Sequence, residues 1–134
     1  MIQQSFTFKS VEKLKSRKLI GQIFTEGKSF SHFPFRVIYI FPPENKSYLQ
    51  AGFSVSSKNF KKAVNRNRIK RLMREAYRLQ KNSLYTVLEQ NKNHLAVFII
   101  YTGNGLPVYE IVFEKIGRVI ERLEKIISDK KDER

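Results

Sequence analysis

The sequence has no cysteine and no tryptophan, few prolines (four) and glycines (six) in 134 residues, and twelve acids against twenty-six lysines and arginines. Without cysteine there is neither a disulfide framework nor a thiolate metal site, so packing alone must hold the fold, and nothing in the cysteine count argues against the cytosol. Long hydrophobic runs are missing too. The most apolar stretches, Leu95 to Tyr101 and Val37 to Phe41, fall far short of the roughly 20 residues of a membrane span. The amino-terminal stretch MIQQSFTFKS lacks a continuous apolar signal region, and the expected location is therefore the cytoplasm, with no membrane partner. The two histidines, His32 and His94, stand alone, outside any HxxxH or clustered acidic pattern, and read as surface or structural residues. No catalytic constellation and no metal site is expected within the protein itself.

What is present is positive charge, and it is uneven. Residues 58–81 hold ten cations against one acid and residues 1–40 seven against two, whereas residues 110–134 balance seven against seven. A chain made basic only for solubility spreads its excess; concentrating it in two segments is the footprint of a surface that meets phosphates. An anionic membrane surface competes as a reading on charge alone.

With 41% apolar residues the chain can bury one core, and neither repeats nor a low-complexity linker divide it, so a single domain over 1–134 is expected. Its ordered core spans about 10–127, with a frayed tail of mixed charge, SDKKDER, over 128–134. Val11, Leu14, Lys18, Ile20 and Phe24 lie at imperfect helical spacing and predict a first helix over 11–25. FRVIYIF at 35–41, stopped by Pro42 and Pro43, reads as a strand. LQAGFSVS at 49–56 alternates: Leu49, Ala51, Phe53 and Val55 point one way, and Gln50, Gly52, Ser54 and Ser56 form a small, wettable second face. LAVFIIY at 95–101 suits a strand covered on both sides. From about Pro107 to Ile127, Val108, Val112, Ile116, Val119, Ile120, Leu123 and Ile127 fall on one side of a last helix, whose polar face pairs Glu114 with Arg118 and Glu121 with Lys125 at i,i+4.

The stretch KKAVNRNRIKRLMREAYR, residues 61–78, puts eight cations and one acid into eighteen residues. Wound as a helix it is two-sided: Ile69, Leu72, Met73, Ala76, Tyr77 and Leu79 share one arc, while Arg66, Asn67, Arg68, Lys70, Arg71, Arg74 and Arg78 share the other. Like charges at i,i+4 cost about 0.2 to 0.5 kcal/mol a pair in an isolated helix, and only Glu75 relieves them. That uncompensated cost points to an anion supplied from outside, against the bland alternative of a solvated basic face. Arginine outnumbers lysine five to three here, which favours planar, bidentate contact with phosphate.

AVNRNRIKRLMREAYR resembles the signature of the bacterial ribonuclease P protein subunit, whose RNR motif corresponds to Arg66, Asn67 and Arg68, followed by Lys70, Arg71 and Arg74. The order around it also matches over roughly residues 10–127: a first helix closing on Phe24 and Gly27, a strand ending in Gly52 to Ser56, the basic helix, another strand and a last helix. The resemblance implies an α+β fold, a ribosomal-protein-like α/β sandwich of about four strands and three helices, with a left-handed βαβ crossover between the strands at 49–56 and 95–101. It implies a subunit of the endonuclease that removes the 5′ leader from precursor tRNA, in which ribonuclease P RNA is the catalyst and uses divalent metal (Mg), the protein being inactive alone.

By the same resemblance, Arg66, Asn67, Arg68, Lys70, Arg71 and Arg74 contact the catalytic RNA, one protein per RNA. Phe24, Arg36, Tyr39, Ser54, Ser56 and Lys58 form a cleft for the single-stranded leader, where stacking and small polar groups suit any sequence. A first-helix position that is often Phe in the family is Ile20 here. The alternative reading is a ribosomal-type or general RNA-binding chaperone without a processing role. A helix-turn-helix DNA binder fits less well, because the element before the basic helix reads as a strand, and no DNA partner is expected.

Overall fold

The computed structural model describes residues 12–43 and 47–132. In chain order the elements are α1 (Arg17–Glu26), β1 (Lys28–His32), β2 (Phe35–Ile40), β3 (Leu49–Val55), α2 (Ala63–Gln80), α3 (Asn82–Asn91), β4 (Leu95–Tyr101) and α4 (Tyr109–Asp132). The four strands form one mixed sheet in the order β1-β2-β4-β3, antiparallel except for the β3–β4 pair, which is parallel and joined through α2 and α3. This is the α+β architecture expected, with four helices rather than about three.

Strand alternation divides the sheet into two unequal faces. Phe35, Val37 and Tyr39 of β2, Leu49, Ala51 and Val55 of β3, and Leu95, Val97, Ile99 and Tyr101 of β4 turn to the main core, which α2, α3 and α4 complete with Ile69, Met73, Tyr77, Leu84, Leu88, Val112, Ile116, Leu123 and Ile127. The opposite face carries Ile38 and Ala96, over which α1 lays Ile23, with Leu19 and Ile20 partly buried beside it. One layer of helices is therefore thick and the other is a single short helix, which leaves part of the sheet uncovered.

Several boundaries differ from the sequence pattern, each for a local reason. The first helix begins at Arg17, not near residue 11, because Ser16 accepts a hydrogen bond from the Leu19 N–H at 3.2 Å and caps it. Residues ahead of the cap run alongside β3 instead: Lys13 bridges Ala51, whose carbonyl accepts from the Leu14 N–H at 3.0 Å. Val11 lies outside the described residues. β1, KSFSH, escapes notice because only Phe30 packs on the main core. α3 escapes because its apolar signal is little more than Leu84 and Leu88, both wholly buried, set among Asn, Ser and Thr. α4 starts at Tyr109, leaving Val108 exposed, and extends to Asp132, past the expected end at Ile127 and through most of the stretch expected to fray. Lys130 Nζ lies 3.9 Å from the centre of the Phe41 ring and gives that last stretch a hold. Among the described residues no helix is long and apolar enough to cross a membrane.

Candidate nucleic-acid interface

Two surfaces carry the candidate residues. The first is α2. Its buried stripe is Ile69, Met73, Ala76 and Tyr77, which fixes the helix roll and turns Asn67, Arg68, Arg71 and Arg74 outward. A groove of about 740 Å³ runs along it, lined by Lys13, Arg68, Arg71, Leu72, Arg74, Glu75 and Arg78. Arg78 is committed to Glu75, with Nη2 2.6 Å from Oε1; that contact holds the Glu75 carboxyl below the usual carboxylate range and raises Arg78. Arg68, Arg71 and Arg74 have no acidic partner among the described residues. The groove is thus a track of fixed cations whose one acid is already engaged.

The other candidates on this helix fall differently. Arg66 is turned back, its Nη1 donating to the carbonyls of Phe60 and Lys61, each at 2.7 Å, so it ties the entry of α2 to the turn before it. Lys70 is half-buried, and neither Lys70 nor Asn67 lines the groove. Sequence reasoning missed Lys13 and Arg78 as groove residues. Arg78 was legible as part of the basic arc, whereas Lys13 depends on a strand contact with no local signal.

The second surface is the thinly covered face of the sheet. Register aligns Ser31, Arg36, Ile100 and Ser54 in one row across all four strands, and Ser29, Ile38, Phe98 and Gly52 in the next. Ser31 and Arg36 are exposed, and Ile100 and Ser54 half-buried. Phe24, 51% exposed, meets Phe98 edge-on at 5.3 Å between ring centres, so these two rings border the polar row. The Phe98 ring lies so close to Gly52 that a Cβ there would fall 2.8 Å from it; glycine is what leaves room for the ring beside β3. Ser56 continues the polar side beyond β3, and Lys58 is exposed in the following turn. Ile20 packs beside this face as a half-buried member of the small cluster.

Tyr39 does not belong to this cleft, which corrects the expectation. Alternation puts it on the opposite side of β2, 7% exposed, in an aromatic row with Phe30 at 6.2 Å and Phe41 at 5.8 Å against α4. Burial raises its hydroxyl pKa, opposed by the nearby Arg122. What exposure it keeps opens into a separate hollow of about 410 Å³ beside Lys28, Ile126 and Lys130. The residue that occupies the central position on the open face is Ile38, and the aromatic missed there is Phe98, hidden in sequence within a run that is apolar throughout.

His94 stacks on Tyr48 at 4.9 Å with a 12° interplanar angle, and its Nδ1 lies 3.2 Å from the Ser47 carbonyl oxygen, an arrangement that packs the end of β3 against β4. Among the described residues no group of three His, Asp or Glu side chains is placed to hold a metal ion.

A family model for Ribonuclease P matches residues 8–124. The chain is 35% identical over 120 residues to the ribonuclease P protein component of Porphyromonas gingivalis, covering 89% of this chain and 88% of that one. It is 33% identical over 123 residues to that of Chlorobium phaeobacteroides, covering 84% of each. Among solved structures, the RNase P protein of Thermotoga maritima superposes with a TM-score of 0.63 at 27% identity, over 83% of this chain and 96% of that one. The RNase P protein of Staphylococcus aureus, at 22% identity, shares the fold with a TM-score of 0.66 over 82% and 93%. The general chaperone reading is not favoured by these likenesses. A basic groove on the helix that carries the RNR motif, an open sheet face beside it and a match along nearly the whole chain lead to one assignment: the chain belongs to the ribonuclease P protein family, the accessory subunit of the ribonucleoprotein endoribonuclease that matures the 5′ ends of tRNA, and as such associates with ribonuclease P RNA.

Proposed function

We propose that the α2 groove holds the phosphate backbone of ribonuclease P RNA through Arg68, Arg71 and Arg74, and that the open sheet face holds the single-stranded 5′ leader of precursor tRNA. The observation that carries this reading is the groove itself: three arginines along one helix face, without acidic partners among the described residues, in a concavity of about 740 Å³. Guanidinium groups fixed in a fork suit phosphate oxygens, and each phosphate neutralised releases counterions. On the sheet face, Phe24 and Phe98 offer stacking surface. Arg36 and Lys58 offer charge, and Ser54 and Ser56 offer hydroxyls that accept or donate whatever the base.

The division of labour in this reading leaves the chemistry to the RNA, as the family resemblance implies. In this reading the RNA supplies the active site and would hold the divalent metal (Mg); the protein holds its RNA partner and raises affinity for substrates that still carry a leader. One protein serves one RNA, in the cytoplasm, and the protein alone cleaves nothing.

The test compares Kd values of the reconstituted holoenzyme for precursor and mature tRNA. Phe24→Ala is expected to weaken precursor binding by about 1 to 3 kcal/mol and to leave mature tRNA unaffected. Tyr39→Ala is expected to lower the unfolding temperature without discriminating between the two ligands. Equal losses for precursor and mature tRNA with Phe24→Ala would remove the leader from this face.

A further inference from the structure

Ten cations lie between residues 58 and 81, and one of them does not face solvent. Lys81, at the junction of α2 and α3, is 1% exposed, and its Nζ donates to both carboxylate oxygens of Glu12 at 2.6 and 2.7 Å. Glu12 is itself only 7% exposed. The two residues are 69 apart in sequence, so the pair fastens the segment ahead of α1 onto the helical layer. Tyr77 lies against the same place: burial, with the Glu12 charge adding to it, pushes its hydroxyl well above the phenolic range and keeps it neutral there.

Burying an ion pair contributes little to net stability, because desolvation consumes most of the Coulombic gain; what such a pair does well is fix register. The register fixed here is that of the segment ahead of α1, where Lys13 bridges Ala51 of β3. Glu12 on one side of Lys13 is held by Lys81, and Leu14 on the other is buried with its N–H on the Ala51 carbonyl. With both neighbours turned inward, Lys13 must turn out, and it does so into the α2 groove, opposite Arg68, Arg71 and Arg74.

We infer that Lys13 is the second wall of the phosphate track on α2, contacting the backbone of the same RNA, and that the Glu12–Lys81 pair is its positioning device. This rests on the reading of the α2 groove as the RNA surface. It moves Lys13 out of the amino-terminal charge block, in which Lys15 precedes α1 and Arg17 and Lys18 open it, and gives the RNA a contact from a part of the chain some fifty residues before the basic helix.

The experiment measures Kd for ribonuclease P RNA over a salt series with the full-length protein. Arg68→Ala serves as the reference, and every variant is checked by circular dichroism and thermal melting. Lys13→Ala, an exposed change, is expected to weaken binding about three- to tenfold and to lower the slope of log K against log salt by about 0.7 to 0.9, the signature of one lost phosphate contact. Glu12→Gln keeps the side-chain shape but not the charge, and is expected to weaken binding in the wild-type background and not in a Lys13→Ala background, a non-additivity that general destabilisation does not produce. If Arg68→Ala loses affinity while Lys13→Ala does not, the second wall is refuted and the groove reading stands. Additive losses for Glu12→Gln and Lys13→Ala would leave Lys13 as a contact and refute the positioning role. An Arg68→Ala protein that binds normally would overturn the groove reading itself.

Discussion

α2 and α4 carry six cations each, yet α4 sets six acids among them and α2 only one. Both pack an apolar stripe into the same core. On α4 the polar face balances itself. Arg118 reaches Glu121 at 3.3 Å, an i,i+3 contact where the spacing had predicted i,i+4 partners, and with both groups well exposed such a pair contributes no more than about 1 kcal/mol. On α2 the single acid is taken by Arg78, and three arginines face a groove without a counterion among the described residues. Counting cations does not separate the two helices; counting the acids placed to answer them does. A helix tolerates unanswered like charge when its buried stripe is strong enough to hold it and a ligand supplies the missing anion.

The comparison is broken most directly by exchanging its terms. Replacing Arg68, Arg71 and Arg74 together with alanine should weaken binding to ribonuclease P RNA by about 3 to 4 kcal/mol at moderate salt, and flatten the salt dependence by two to three phosphate equivalents. Replacing Lys115, Arg118 and Lys125 on α4 removes the same formal charge and should change affinity less than about threefold, through long-range attraction alone. A filter-binding or fluorescence titration over a salt series reads both. Comparable losses would mean that net charge, and not the groove, binds the RNA.

A smaller effect distinguishes residues within the basic helix itself. Arg66 spends its guanidinium on the carbonyls of Phe60 and Lys61, so Arg66→Ala should cost roughly 1 to 3 kcal/mol of stability by leaving those acceptors without their donor. Arg68→Ala removes an exposed side chain and should leave the unfolding midpoint nearly unchanged while weakening RNA binding. Chemical denaturation beside RNA titration on the same two proteins separates them. Equal stability for both would return Arg66 to the RNA-contacting set in which the family motif places it.

How much of this could be read beforehand divides along a physical line. Periodicity found α2, the core of α4, and the strands at 35–41, 49–56 and 95–101, because each buries a strong stripe or run whose repeat is local. It missed β1 and α3, where one phenylalanine and two leucines carry the burial, and it misplaced the start of α1, where a serine cap and a strand contact from outside the helix decide the boundary. The site divides in the same way. Arg68, Arg71 and Arg74 were legible because helix geometry alone puts them on one face. Lys13, Phe98 and the exclusion of Tyr39 were not, since each depends on which side of a strand faces which layer. A single alternating strand cannot reveal that: Phe35, Val37 and Tyr39 are distinguished from Arg36 and Ile38 only once the helices are docked.

The smallest expected effect runs in the opposite direction, as a gain. Glu75 is the one acid among the described residues that line the groove, and its partnership with Arg78 withholds a cation from the track. Glu75→Gln should keep the helix, since Gln is an equally good helix former, and release Arg78 for phosphate, raising affinity for the RNA by about two- to fivefold and steepening the salt slope by up to about one phosphate. Acid should reproduce this in the wild type. The Glu75 carboxyl titrates below its ordinary value because Arg78 donates to it, so the pair persists through the pH range in which an unpaired glutamate protonates and is lost only as pH falls through the depressed folded value. Any stability the pair contributes is therefore present at neutral pH and disappears in that acidic window, where affinity attributable to Arg78 should rise. In Glu75→Gln that part of the pH dependence should be absent. If Glu75→Gln binds the RNA no better than wild type at neutral pH, Arg78 is not part of the phosphate track, and the cationic run on α2 ends at Arg74.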